Sequence, residues 1–278
     1  MVWTARLPAR AAVEITGEDR VSFLQGLVSN DVATAASGRW VWAALLTPQG
    51  KWLADFFITA ADGRLLLDME AAQRDEVIAR LARYRLRARA ALAPVAMHVV
   101  ASDAPPPSAL PVVAAGPDPR HPAAGWRWMA EAPPAEDDGF AAWDAHRLRL
   151  GLPDGSRDLE REKTVLLEAG FDELGGIAWD KGCYMGQELT ARTRYRGLVK
   201  RRLVPVTVEG PLPPPGTPVL RGGVEVGVLR SGLALPEATR ALALLRLEAL
   251  SGGALSCDGY PVTPRVPDWM RLPAAAGP

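Results

Sequence analysis

Residues 181–188, Lys181-Gly182-Cys183-Tyr184-Met185-Gly186-Gln187-Glu188, bring a cysteine, a lysine, two glycines and an acid into eight positions. Asp180, just before them, is a residue type that caps helices, and the residues from Gln187 to Ala191 have helical character. Gly182 can bend the chain ahead of that helix. The stretch therefore predicts that Cys183 lies in or beside the first turn of a helix.

In that position Cys183 would be a reactive thiol. The helix dipole and the unpaired backbone N–H groups of a first turn favour a thiolate, and Lys181 adds positive charge two residues away, so the pKa of the thiol should fall. The alternative is that Cys183 is a small buried hydrophobe, as most single cysteines are. The local sequence favours neither interpretation.

The composition is that of a globular protein and excludes several classes of site. The chain has 278 residues, 48% hydrophobic and 23% charged, and its 32 basic residues balance 32 acidic ones. Nucleic-acid binding would therefore require a local patch. The two cysteines, Cys183 and Cys257, and the three unpaired histidines favour no disulfide framework, no structural zinc site and no self-contained four-cysteine cluster. We predict no resident metal.

The N-terminal residues and the apolar runs bear on location. Residues 1–8 lack the apolar core of a signal peptide, and apolar runs elsewhere are broken by proline or charge well short of a bilayer span. The sequence therefore predicts a cytoplasmic protein that has no membrane partner.

The first ninety residues predict a mixture of strands and helices with two unusual polar positions. Apolar periodicity indicates strands at 11–15, 40–46, 51–59 and 64–69, with helices after Gly17 and at 71–85. Asn30 and Asp31 follow the first helix, where capping alone explains them. Asp55 lies inside a strand, which requires a partner or a function. A ligand contact is slightly favoured there over an edge position facing water.

Three arginines alternate with apolar residues between Tyr84 and Ala90: Arg85, Arg87 and Arg89. This period predicts a half-buried strand with one cationic face. Such a face can grip a carboxylate or a phosphate, although a solvated stripe is the more usual reading.

The remainder of the chain predicts a second, smaller domain. Prolines dominate residues 103–139, where strands are expected at 110–115 and 126–130, and a helix follows at 140–150. Beyond a basic run from Arg192 to Arg202, short strands are expected at 203–208, 218–220, 224–230, 242–247 and 260–263. Their close spacing predicts a small barrel or sandwich. We place the domains at 1–200 and 201–278.

With these motifs in view, the chain resembles the YgfZ family, the folate-binding relatives of the glycine-cleavage T-protein, which includes mitochondrial factors for iron-sulfur cluster assembly. The octapeptide at 181–188 matches the family signature Lys-Gly-Cys-Tyr-x-Gly-Gln-Glu. Weaker matches follow in the expected order: Phe23-Leu24-Gln25-Gly26, Asn30-Asp31-Val32, Gly50-Lys51 leading to Asp55, Tyr84 to Arg89, Asp118-Pro119-Arg120 and Arg194-Tyr195-Arg196-Gly197.

The resemblance implies an α+β fold of GcvT-like type: a ring of three subdomains around a central folate-sized hole, with a C-terminal β-barrel. It implies tetrahydrofolate or a derivative as cofactor, and Cys183 with Lys181 as the reactive pair. The residues expected to contact the folate are Asp55, Asn30, Asp31, Arg87, Tyr184, Gln187, Glu188 and Arg194. Iron-sulfur client or assembly proteins are the implied partners, with an older association with tRNA modification.

Two departures from the T-protein pattern argue against ordinary glycine-cleavage chemistry. Ala54 and Asp55 stand where aminomethyltransferases carry adjacent aspartates, and Arg149 stands where they use a glutamate to hold the pteridine. A guanidinium has no acceptor for the pterin donors. Folate binding is then expected in a changed pose or weakly.

Three functions are consistent with these observations. The first is a folate-linked accessory factor for iron-sulfur proteins, in which Cys183 is a nucleophile or a transient ligand. The second is a tetrahydrofolate-dependent one-carbon transferase with Asp55 as the remaining acid. The third, which is not favoured, is RNA recognition through the basic run with Tyr195 as a stacking ring.

Overall fold

The computed structural model describes residues 3–134 and 138–272. These residues form two antiparallel sheets, five helices and a closed barrel. The strands are β1 (Thr4–Arg6), β2 (Arg10–Thr16), β3 (Val41–Leu46), β4 (Trp52–Ala61), β5 (Arg64–Glu70), β6 (Ala91–Val95), β7 (His98–Ser102), β8 (Val112–Pro117), β9 (Trp126–Ala130), β10 (Arg201–Val208), β11 (Pro218–Arg221), β12 (Val224–Ala234), β13 (Thr239–Arg246), β14 (Leu255–Cys257) and β15 (Tyr260–Pro264). The helices are α1 (Arg20–Gln25), α2 (Val32–Ala36), α3 (Arg74–Tyr84), α4 (Phe140–Leu150) and α5 (Gln187–Tyr195).

The first sheet has the strand order β3-β4-β5-β2-β6 and is buried on both faces at its centre. Alternate residues of β3 enter different cores. Val41 and Ala43 pack into a core that includes Leu24 and Val32 of α1 and α2, whereas Trp42 and Ala44 pack into a second core on the opposite face. This double burial explains why β3 is apolar without interruption.

The second sheet has the order β1-β7-β9-β8, and the second core fills the space between the two sheets. Met129 of β9, Trp143 of α4 and Phe171 of the following loops join Trp42 in that core. The second core therefore lies where the two sheets and the segment after α4 meet.

The C-terminal strands close into a barrel in the order β10-β13-β12-β11-β14-β15, with β15 pairing back onto β10 from Val206 to Val208. Cys257 is fully buried in its core. The predicted α+β class with a C-terminal β-barrel is thus confirmed.

One predicted strand is wrong. Residues 85–90 form a turn and an extended loop, and the strand β6 begins only at Ala91. Leu86 adopts a positive φ of 44° and is 89% exposed. Arg85, Arg87 and Arg89 are all exposed, so they do not form the cationic face of a sheet.

Among the helices that the structure describes, none is both long and apolar enough to cross a membrane.

Candidate functional site

Cys183 is exposed on a loop, residues 181–186, which we call the cysteine loop. The helix α5 begins four residues after Cys183, and Gly186, with φ 79°, occupies its N-cap position. The prediction that Asp180 caps this helix is therefore wrong, and Cys183 lies ahead of its first turn. The alternative of a buried cysteine is also wrong for Cys183, although it describes Cys257.

Lys181 fixes the start of the cysteine loop. Its ammonium Nζ donates to three backbone carbonyl oxygens, those of Gln25 at 2.6 Å, Val28 at 2.7 Å and Asn30 at 2.7 Å. Burial lowers the pKa of Lys181 to about 8, against a smaller opposing effect of the Asp31 carboxylate. All three N–H donors of the ammonium thus anchor the loop to the backbone at the C-terminal end of α1 and in the residues that follow it. Its predicted effect on the Cys183 thiol stays a prediction.

The shifted pKa of Lys181 predicts how stability depends on pH. The unfolded chain holds this proton up to about pH 10.5, whereas the folded chain releases it near pH 8. Between these values the unfolded state binds more protons, so the contribution of Lys181 to the free energy of unfolding rises with pH. Urea denaturation of the natural protein and of Lys181→Met should therefore give a difference that grows in favour of the natural protein from pH 7.5 to 9.5.

Lys163→Met is the control for the loss of one lysine in that comparison, because the side chain of Lys163 is exposed. A difference between the natural protein and Lys181→Met that stays constant or shrinks over this range would contradict the pH prediction.

The other end of the cysteine loop packs against the β3–β4 turn. Gly186 lies so close that a Cβ atom there would be 2.4 Å from the carbonyl oxygen of Thr47 and 3.1 Å from Cα of Gly50. The N–H of Met185 donates to the carbonyl of Gly26 at 3.1 Å. Only a residue without a side chain permits this approach, so Gly186 sets the position of the loop.

Tyr184 and Gln187 brace the loop from inside. The Tyr184 ring is buried and lies 5.3 Å from the Lys181 Nζ, and burial raises the pKa of its hydroxyl to about 12. The Gln187 side chain accepts a hydrogen bond from the Tyr184 N–H at 3.1 Å. Cys183 is therefore an exposed thiol between residues that are held on both sides.

Asn30 and Asp31 are used by the fold. The Asn30 amide donates to the carbonyls of Trp42 and Gly175, each at 2.7 Å. Asp31 caps α2, and although burial raises the pKa of its carboxyl, hydrogen bonds led by those from Gln25 and Thr34 hold that pKa below its usual value. These contacts agree with the structural explanation given to both residues from the sequence, and their expected contact with folate stays a prediction.

Asp55 is buried in the middle of the first sheet, between β3 and β5, so the edge position considered for it is wrong. The Trp42 Nε1 donates to its Oδ2 at 2.9 Å. Burial raises the pKa of the carboxyl, although the nearby Arg10 guanidinium and the Trp42 hydrogen bond act in the opposite direction.

A charged cluster, which we call the central cluster, lies beside Asp55 and joins the two sheets. Asp68 of β5 accepts from Arg10 Nε at 2.6 Å and from Arg127 of β9. Arg127 also lies 3.6 Å from Asp118, which accepts from Arg120 Nη2 at 2.8 Å. All five side chains are nearly or fully buried. The sequence did not predict that Arg10, Asp68 and Arg127 lie together.

Aromatic rings complete the packing around the central cluster. Trp42 stacks on Phe171 with ring centroids 3.7 Å apart, and the Arg127 guanidinium lies 3.6 Å from the centroid of Phe57. The Arg120 guanidinium covers the same Phe57 ring at 4.7 Å. Each of these side chains is at most 6% exposed.

These residues do not fit a folate next to Asp55. A pterin is about as large as an indole ring, so it would have to displace Trp42 or Arg120 from contacts that bury them. Two of the other expected folate contacts lie on exposed surface: Arg87 is on the loop after α3, and Glu188 is on α5. Tetrahydrofolate binding stays a prediction of the resemblance.

The cations of the basic run differ in whether the fold gives them a partner. Arg194 stacks over Trp179 at 4.0 Å and lies 3.9 Å from Asp172. Two further cations are held by ion pairs: Arg201 with Glu168 at 2.9 Å and the buried Arg202 with Glu173 at 2.6 Å.

Three cations of the run remain available. Arg192, Arg196 and Lys200 are exposed, and within residues 3–134 and 138–272 their side chains make no hydrogen bond or ion pair. The same described ranges contain no group of three or more histidine, cysteine, aspartate or glutamate side chains that could hold a metal ion.

The family model of the CAF17 C-terminal beta-barrel domain matches residues 200–272. Over the whole chain, the fold is similar to that of the glycine cleavage system aminomethyltransferase T from Bartonella henselae, with a TM-score of 0.78 at 16% identity over 97% of this chain and 86% of that one. At this identity the likeness shows the fold alone. It agrees with the GcvT-like arrangement expected from the sequence.

Curated relatives are named as iron-sulfur cluster assembly factors. The human mitochondrial factor IBA57 is 32% identical over 95% of this chain and 84% of its own length, and the mouse factor is 30% identical over 99% and 87%. The homolog from Mycosarcoma maydis is 35% identical over 73% of this chain, which spans 56% of that protein. All three are named mitochondrial, and this overturns the prediction of a cytoplasmic location.

Proposed function

The chain belongs to the IBA57 family of iron-sulfur cluster assembly factors, and we propose that it takes part in cluster assembly by presenting Cys183 as a thiolate ligand to a cluster in transfer. The observation that carries the proposal is the cysteine loop. Its one thiol is exposed, while the residues on both sides of it are anchored by Lys181 and Gly186.

Anchoring on both sides makes Cys183 a preorganised ligand. A ligand on a flexible loop loses conformational entropy when it binds a metal, whereas a held ligand loses less. The Lys181 hydrogen bonds and the Gly186 contact fix the backbone on either side, so little ordering remains for the cluster to impose. The cluster here is cargo, which arrives with ligands of its own.

One cysteine cannot hold a cluster alone. Iron-sulfur clusters take four protein ligands, and the second cysteine of this chain, Cys257, is buried in the barrel. Cys183 would therefore complete a coordination shell whose other ligands come from a partner that carries or receives the cluster. This arrangement suits a transfer step, since a shared cluster can leave with either protein.

The relation to the wider YgfZ family stays a prediction, and so do its folate and tRNA associations. No observation on the site favours the one-carbon transferase, because Asp55 is engaged by Trp42 in a packed centre.

The test is Cys183→Ala in a deletion strain. We expect the activity of cluster-dependent enzymes to fall more than about tenfold below that restored by the natural protein, since a lost metal contact weakens binding at least by that factor. Because Cys183 is exposed, the thermal midpoint should not change. Cys257→Ala removes the other cysteine of the chain, which is buried in the barrel, and it should restore those enzymes. Full restoration by Cys183→Ala would refute the role of the thiol.

A further inference from the structure

We propose that a ridge on α5 and its following turn, formed by Arg192, Tyr195, Arg196, Leu198 and Lys200, docks an acidic iron-sulfur protein and brings its cluster to Cys183. The proposal rests on the proposed function and adds the docking surface and the chemistry of the partner. We call this surface the α5 ridge.

The α5 ridge is an exposed aromatic and aliphatic surface between unpaired cations. Tyr195 is 78% exposed and Leu198 is 43% exposed. Arg192 lies three and four residues before Tyr195 and Arg196, so the three side chains share one helix face. Tyrosine and arginine are enriched where protein interfaces gain their binding energy, and an apolar centre with a charged rim is the usual interface anatomy.

The charge of the ridge specifies an acidic partner. Residues 188–204 contain six cations and one acid, Glu188, although the whole chain has no net charge. The fold pairs three of the six, Arg194, Arg201 and Arg202, with Asp172, Glu168 and Glu173, and it leaves the three on the ridge free. Acidic residues of a partner would meet these cations and orient its approach.

The thiol lies just before the start of α5, and the ridge lies at the end of the same helix and in the turn that follows. The helix α5 starts four residues after Cys183 and has nine residues, so it is about 13 Å long. A standard interface covers about 800 Å² on each partner, which is enough to span both ends of the helix. Glu188 and Arg192 continue the exposed face of the helix between the thiol and Tyr195. A protein that docks on the ridge therefore reaches Cys183.

A protein fits the ridge better than an RNA does. Single-stranded RNA is held by several stacking rings along a cationic groove. Here Trp179 is covered by Arg194 and Tyr184 is buried, so Tyr195 is the aromatic ring that the ridge offers. Leu198 adds aliphatic surface, which suits a protein side chain more than a base.

The test measures binding of the full chain to each purified, cluster-loaded iron-sulfur assembly protein of the same cell by calorimetry at 0.15 M salt. We expect an acidic one to bind the natural chain, and R192E/R196E to weaken that binding by more than about tenfold. The double variant R39E/R83E changes two exposed arginines elsewhere by the same total charge, and it should alter the affinity less than about threefold.

Other outcomes overturn the docking proposal. Equal affinity of the natural chain and R192E/R196E would leave the proposed function intact and exclude the ridge. If Cys183→Ala restores cluster enzymes while an acidic assembly protein still binds through the ridge, the proposed function fails and the docking site stands. Binding of unmodified tRNA at 0.15 M salt that is lost in R192E/R196E, without binding of any assembly protein, would make the ridge an RNA site.

Discussion

Asp68→Ala should lower the free energy of unfolding by about 3–5 kcal/mol, as measured by urea denaturation. Asp68 is fully buried and accepts hydrogen bonds from both Arg10 and Arg127. Its removal leaves the buried Arg10 without its ion-pair partner and Arg127 with Asp118 alone, 3.6 Å away, and the protein cannot return the two guanidinium groups to water without separating the two sheets.

Glu18→Ala is the matched control for Asp68→Ala. It also removes the partner of an arginine, Arg89, but at a site where both side chains are more than half exposed. Exposed pairs contribute little, so this variant should lose less than about 1 kcal/mol. A loss of similar size in both variants would show that the central cluster does not hold the sheets together.

Gly186→Ala should displace the cysteine loop. The new Cβ atom would lie 2.4 Å from the Thr47 oxygen and 2.9 Å from the Leu46 Cβ, at a φ of 79° that disfavours any side chain. Because one of these neighbours is backbone, the loop must move, and we expect a loss of roughly 1–3 kcal/mol or more. The rate at which maleimide alkylates Cys183 in the native protein should change with it.

Gly182→Ala separates this clash from backbone strain. Gly182 has a similar φ of 86°, but a Cβ atom there would meet nothing within 4 Å. It should therefore lose only the strain of a positive φ, about 1 kcal/mol. If Gly182→Ala and Gly186→Ala are equally stable and equally reactive, the contact with the β3–β4 turn does not position the thiol.

Most of the fold was predictable from local periodicity. The hairpin of β3 and β4, the helix α4 and the main barrel strands follow from apolar patterns that extend over several residues. The short strands β6, β7 and β14 have five residues or fewer and were missed, because such patterns carry little information. The turn at Leu86 was misread as strand because leucine gives no signal for a positive φ.

The site was harder to predict, since distant contacts create it. The cysteine loop is anchored by Lys181, whose acceptors lie 151 to 156 residues earlier in the chain. The central cluster did have a signal. Asp68 and Arg127 are charges inside apolar strands, which is the same anomaly that singled out Asp55. The pattern shows that such charges need partners, but it does not say which ones.

Because Lys181 follows its acceptors by 151 to 156 residues, the anchor of the cysteine loop can form only late in the synthesis of the chain. The carbonyls of residues 25 to 30 leave the ribosome well before Lys181, so α1 can fold before the cysteine loop has been synthesised. Until that moment nothing fixes Cys183 in its presenting position. A chain that ends before Lys181 would lack this anchor, so the cysteine loop can take its position only after the chain has been made as far as Lys181.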